Sequence, residues 1–193
     1  MHEISSVAVF CGSRLGVDPA FADAARELGV GLARAGIRLV YGGGKTGMMG
    51  ALADAVLEAG GTVLGVIPDF LTRLEVAHPD VTEMVITDTM HSRKTRMAEE
   101  ADAFVTFPGG LGTLDETMEI VTWRQLRLHD KPIFICDVAG SAEPFVSAIE
   151  GIIAQGFAPA ESRSLFTVVN GVPALLGALG QASRGTGVTA ARL

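Results

Sequence analysis

The segment Pro108-Gly109-Gly110-Leu111-Gly112-Thr113-Leu114-Asp115-Glu116 gathers the residue types that handle a phosphorylated ligand. Its glycines leave backbone N–H groups bare where an apolar run gives way to a helical pattern, and N–H groups at a helix mouth hold phosphate. Thr113 and Glu116 have capping-box spacing, which supports two readings of Glu116. In one, Thr113 is the N-cap and the carboxylate turns back to the helix terminus. In the other, the carboxylate faces a ligand, where it activates water or stabilises developing positive charge. Glu119, one turn further, shares that face.

A second group, Met90-His91-Ser92-Arg93-Lys94, puts cations early in a helix, against the macrodipole. A local rule broken in this way points to a site. Arg93 is the expected ligand contact, whereas Lys94 and Arg96 read as a solvated charged face. Two more glycine-bearing loops follow apolar runs: Gly12-Ser13, and Gly42-Gly43-Gly44-Lys45-Thr46-Gly47. One such loop is an ordinary turn, but three on one sheet edge indicate a phosphate-bearing ligand. Gly42, Gly44 and Gly47 fit the dinucleotide fingerprint, with Asp69 about 20 residues on. That loop follows the second strand rather than the first. A P-loop is excluded because Leu39 occupies the required glycine position. Met48 and Met49 read as packing residues.

These residues need elements to place them. Seven apolar runs are continuous rather than alternating, as in strands buried on both faces: 7–12, 38–43, 62–68, 83–88, 103–109, 132–137 and 165–170. Helical patterns lie between them. Asp18 caps one with Pro19 at its first position and Gly36 past its end; Asp88 is expected to cap a second over 90–100; Thr113 opens a third to about 128; a fourth spans 142–155. The alternation predicts an α/β fold, a Rossmann-like doubly wound parallel sheet with helices on both faces. A chain of 193 residues, 48% hydrophobic, suits a single domain over 1–180, with a flexible tail over 181–193.

In the 113–128 helix, Leu114, Met118, Val121 and Gln125 mark the expected core stripe. Ile120, Trp123 and Arg127 mark a second, read either as a subunit interface or as packing within the protomer. His78 and His129 read as surface loop residues. Histidines, cysteines and carboxylates lack metal-site spacing, so no metal is expected. A net charge of −7 argues against binding nucleic acid through its phosphates. No apolar run approaches the ~20 residues of a membrane span. Cys11 and Cys136 each close an apolar run and form no disulfide scaffold. With no basic leader at Met1-His2-Glu3, the expected compartment is the cytoplasm.

PGGLGTLDE resembles the PGGxGTxxE signature of the LOG ("Lonely guy") family, the cytokinin riboside 5′-monophosphate phosphoribohydrolases, formerly labelled lysine decarboxylases. VFCGSR at 9–14, LVYGGGKTGMMG at 39–50, GVIPDFL at 65–71, MHSRK at 90–94 and TWRQLRLHDKP at 122–132 extend the likeness over about residues 7–157. The resemblance implies hydrolysis of the N-glycosidic bond of an adenine-type nucleoside 5′-monophosphate (AMP or its N6-prenylated form), releasing base and ribose 5-phosphate without a cofactor. It implies Arg93 and Glu116 as catalytic residues. Phosphate or substrate contacts would come from Gly109, Gly110, Gly112 and Thr113, with Pro108, Leu111, Gly12, Ser13, Gly43, Gly44, Gly47, Met90 and Glu119 around them and Lys94 assisting. It also implies a homodimer, for which the helix carrying Trp123 is the expected contact. The chain departs from the family at 137–142, where many relatives carry tyrosines, at Lys45-Thr46, and at Arg127, where glycine is usual. These departures bear on base preference rather than on the reaction. Three other readings remain: a non-catalytic nucleotide or cofactor carrier, an NAD-dependent oxidoreductase resting on the 42–47 loop, and a pyridoxal-phosphate decarboxylase resting on Lys94.

Overall fold

A computed structural model describes residues 3–72, 76–183 and 185. Each of the seven apolar runs overlaps a strand, the first of which begins one residue before its run: β1 (Ser6–Phe10), β2 (Arg38–Tyr41), β3 (Val63–Pro68), β4 (Glu83–Thr87), β5 (Ala103–Thr106), β6 (Ile133–Asp137) and β7 (Thr167–Asn170). All pair in parallel, in the order β4-β3-β2-β1-β5-β6-β7. The order reverses between β1 and β5, so the crevice between their following loops is where such a sheet receives ligands.

Among the described residues, six α-helices cover the sheet: α1 (Pro19–Arg34), α2 (Gly47–Glu58), α3 (Met90–Glu100), α4 (Leu111–Gln125), α5 (Glu143–Ala154) and α6 (Gly171–Gln181). Alternate strand residues face opposite sides. Val7 and Val9 pack with α1, α2 and α6, while Ala8 and Phe10 pack with α3, α4 and α5. Asp18 caps α1, its carboxylate accepting from the Ala20 N–H. Met48 and Met49 are buried, as their packing role requires. α2 and α6 occupy stretches where the residue pattern predicts no helix boundaries. Of the expected tail, only 181–183 and 185 lie within the described residues, and Gln181 still belongs to α6.

Several local expectations are corrected. α4 begins at Leu111 with Gly110 as its N-cap, so Thr113 sits inside the first turn and its capping box with Glu116 does not form. Extended backbone at Gly110 lets the helix start three residues early. A capping box forms instead at α3, between Thr89 and Ser92; Thr89 takes the place expected of Asp88. The two stripes of α4 are only partly as expected. Val121 is buried in the core, but so are Trp123 and Ile120 of the second stripe, while Leu114 and Met118 are exposed. Tightening of the helix end at Leu126 and Arg127 leaves Arg127 at φ 59°, outside the regular helix. His78 and His129 are buried rather than at the surface, each tied by a ring-nitrogen hydrogen bond. Among the described residues, no helix is long and apolar enough to cross a membrane, and no cluster of three or more metal-ligating side chains occurs.

Candidate active site

Arg93 and Glu116 come from neighbouring helices and are both nearly sealed from solvent, at 5% and 8% exposure. Arg93 is fixed by the carboxyl ends of two strands: Nε donates to the Val66 carbonyl (3.0 Å) and Nη2 to the Gly42 carbonyl (3.2 Å). A Cβ at position 42 would collide with Nη2, so the glycine is what lets the guanidinium approach the backbone. Nη1 then faces Glu116 Oε1 at 3.4 Å. A charge pair so removed from water interacts more strongly than one at the surface.

Lys94 does not extend into solvent. Its Nζ meets Asp115 at 2.6 Å and Glu119 at 3.2 Å, joining α3 to α4 beside the Arg93–Glu116 pair. Burial works against the ammonium, but the hydrogen bonds to Asp115 and Glu119 outweigh it and raise the Lys94 pKa. A protonated, doubly paired lysine is a poor Schiff-base nucleophile, which argues against the decarboxylase reading. Met90 places its sulfur 3.9 Å from Arg93 Nη1 and so touches the site through that side chain.

Two cavities flank the glycine loops. The smaller, about 140 Å³, is the polar one. Arg93, Glu116 and Thr113 line it together with Gly42, Gly110, Gly112, Gly12 and Ser13. The larger, about 580 Å³, adjoins it through Gly12, Ser13, Gly110 and Leu111 and extends to Pro108, Gly109, Phe21 and Met48. Gly109 allows Thr113 to pack against the loop, because a Cβ there would collide with Thr113 Oγ1. Around Gly110 and Gly112 there is open space, as a loop that receives a ligand requires. Cys11 lines the polar cavity, and burial, reinforced by Glu116, holds its thiol protonated.

Three expected phosphate contacts lie elsewhere. Gly43 packs on Ile67 and Met84, Gly47 abuts the Ser13 backbone, and Gly44 pairs with Ala77. The Lys45 N–H donates to the Val76 carbonyl and the His78 N–H to the Gly43 carbonyl. The 42–47 loop is therefore bound to the 76–78 segment, and its dinucleotide-like spacing serves packing. From this loop Gly42 reaches the polar cavity, a contribution that its place in the glycine run did not single out.

Fold and site together define a Rossmann-type α/β protein with a glycine-rich helix mouth next to a buried arginine–glutamate pair. A family model described as "Possible lysine decarboxylase" matches residues 49–179. The chain is 45% identical over 159 residues to rice LOGL1, a probable cytokinin riboside 5′-monophosphate phosphoribohydrolase, covering 82% of this chain and 71% of that one. It is 41% identical over 175 residues to the cytokinin riboside 5′-monophosphate phosphoribohydrolase of Rhodococcoides fascians, covering 90% and 88%. The chain belongs to this LOG family. Among solved structures, the molybdenum cofactor carrier protein of Chlamydomonas reinhardtii superposes with a TM-score of 0.69 at 22% identity, over 94% of this chain and 98% of that one. That likeness shows the fold alone.

Proposed function

We propose that this protein hydrolyses the N-glycosidic bond of adenine-type nucleoside 5′-monophosphates, AMP or its N6-prenylated form, to free base and ribose 5-phosphate. The observation that carries this reading is the Arg93–Glu116 pair, buried in a cavity that the α4 helix mouth also lines. The unpaired first-turn N–H groups of α4 would hold the 5′-phosphate. Glu116 lies one turn past Gly112, about 6 Å along the axis at ~1.5 Å per residue. An anchored phosphate thus presents its sugar to the carboxylate, and that anchoring supplies orientation.

Cleavage builds positive charge on the ribose and negative charge on the base. Glu116 faces the ribose with negative charge and draws a proton from the attacking water. The water oxygen ends on the anomeric carbon and its proton on the departing base. Arg93 cannot give up a proton. Two of its nitrogens are occupied by the Val66 and Gly42 carbonyls, so it acts as a fixed positive charge that orients Glu116.

The exposed stripe of α4 supports a homodimer. Leu111 is 87% exposed and aligns with Leu114 and Met118 beside the site, an apolar strip that a second copy would cover. The contact then uses the Trp123 helix by the face opposite Trp123. Sedimentation showing only monomer at micromolar concentration would remove this reading. The buried, unpaired cysteines fit a cytoplasmic enzyme.

The test of the activity is incubation with AMP, N6-isopentenyl-AMP, GMP and CMP, followed by chromatography. The expected result is free adenine-type base with an equal amount of ribose 5-phosphate. Nucleotide binding without base release would instead support a carrier.

A further inference from the structure

The loop before β6 holds two buried side chains for which the proposed chemistry has no use. Lys131 is 3% exposed, and its Nζ donates to the carbonyls of Ala98 (2.7 Å) and Ala101 (2.6 Å), at the C-terminal end of α3. A cation there complements the helix dipole, and charge-assisted bonds of this length are strong. Two residues earlier, His129 Nε2 donates to the Ile120 carbonyl of α4 at 3.0 Å. Both side chains lie against one ring: His129 meets Phe104 edge-on at 5.2 Å, and Lys131 Nζ lies 6.0 Å from its centroid. Phe104 belongs to β5, so both ties refer back to the sheet.

These ties reach the two helices that carry Arg93 and Glu116. Ala98 is five residues past Arg93, and Ile120 is one turn past Glu116. α3 has few apolar anchors of its own. It buries only Arg93, Met97 and Ala98, so little apolar packing fixes its position along its own axis. The pair it must align meets across the two helices, with Arg93 Nη1 and Glu116 Oε1 at 3.4 Å.

We infer that Lys131 and His129 are positioning residues: a polar clamp, seated on Phe104, that fixes α3 and α4 so that Arg93 meets Glu116. This inference rests on the proposed hydrolase reading for its kinetic consequence, but its geometric consequence stands apart from it. Neither residue touches the polar cavity, so substrate affinity does not depend on them directly.

The variant to test is Lys131→Met, which keeps the stem and removes the ammonium. Leu179→Ala, on the opposite face, serves as a control for lost stability. The clamp predicts that K131M, measured as folded protein, loses about tenfold or more in kcat with little change in KM, since ~1 Å of misplacement can cost on the order of 100-fold. L179A should keep its kcat while losing thermal stability. Equal kcat in K131M and wild type overturns the clamp, and so does an equal loss in L179A. If the wild type releases no base, the hydrolase reading fails, and the clamp is then judged by crystallography. A K131M structure should show the Arg93–Glu116 separation opened beyond about 4 Å, the limit of an ion pair, over an unchanged sheet. A separation kept at 3.4 Å in that structure overturns it.

Discussion

On one side of the sheet, α1 buries Ala25, Leu28 and Leu32 against Leu52, Ala53 and Val56 of α2, an interface of small and branched apolar groups. On the other side, α3 and α4 enclose Arg93, Glu116, Thr117 and, at their far ends, His129 and Lys131. The first interface tolerates sliding only at the cost of packing, and it can be built from residues without chemistry. The second gives up apolar burial for charged and hydrogen-bonded groups, whose positions are set by direction as well as by volume. The same core thus has one side that supplies stability and another that supplies reactivity, with the ligand crevice above the strands between them.

Substitutions should separate the two sides. Arg93→Ala is expected to lower turnover by about 10²–10³-fold, the scale for removing one preorganised electrostatic group. Leu28→Ala should lose about 2–5 kcal/mol of unfolding free energy with turnover per folded molecule unchanged. Steady-state kinetics beside chemical denaturation reads both, and the contrast fails if L28A loses turnover as R93A does.

A smaller effect comes from Arg127. Its φ of 59° suits glycine, and the side chain strains the backbone where α4 ends. Arg127→Gly should gain about 1 kcal/mol, offset in part by unfolded-state entropy. For a chain of this size, that corresponds to a Tm higher by roughly 2–4 °C. An unchanged or lower Tm would show that the strain is relieved elsewhere.

The smallest effect is pH-dependent. Burial is the main cause holding the His129 pKa below 6.5, so the folded imidazole stays neutral. As pH falls below about 6.5, the unfolded chain takes up a proton that the folded chain resists, and stability declines. His129→Gln, which can still donate to the Ile120 carbonyl, should lessen the Tm loss between about pH 7.5 and 5.5. An identical loss in both proteins would assign the pH dependence to other groups.

All seven strands were readable because continuous apolar runs have few alternatives in an alternating α/β chain. PGGLGTLDE and MHSRK were readable because glycine at a helix mouth and cations in a first turn conflict with local preference. What the sequence concealed depended on orientation. With α4 starting at Leu111, Trp123 rather than Leu114 faces the sheet, while Val121 lies in the core as expected. The glycines at 42, 44 and 47 looked like a nucleotide fingerprint because close approach needs glycine whether the neighbour is a ligand or, as here, the Arg93 guanidinium, Ala77 and the Ser13 backbone. His129 looked like a surface loop residue because its partner is a backbone carbonyl, which leaves no mark in a sequence.

The most direct test compares wild type with Glu116→Gln, which preserves volume and removes the charge. Both proteins, at equal folded concentration, would be given AMP and N6-isopentenyl-AMP, and released base and ribose 5-phosphate would be quantified together. The proposed mechanism predicts equimolar release by the wild type and a rate lower by about 10²–10⁴-fold in E116Q, the range for losing a general base. Base release by E116Q at the wild-type rate would contradict the central role of the Arg93–Glu116 pair.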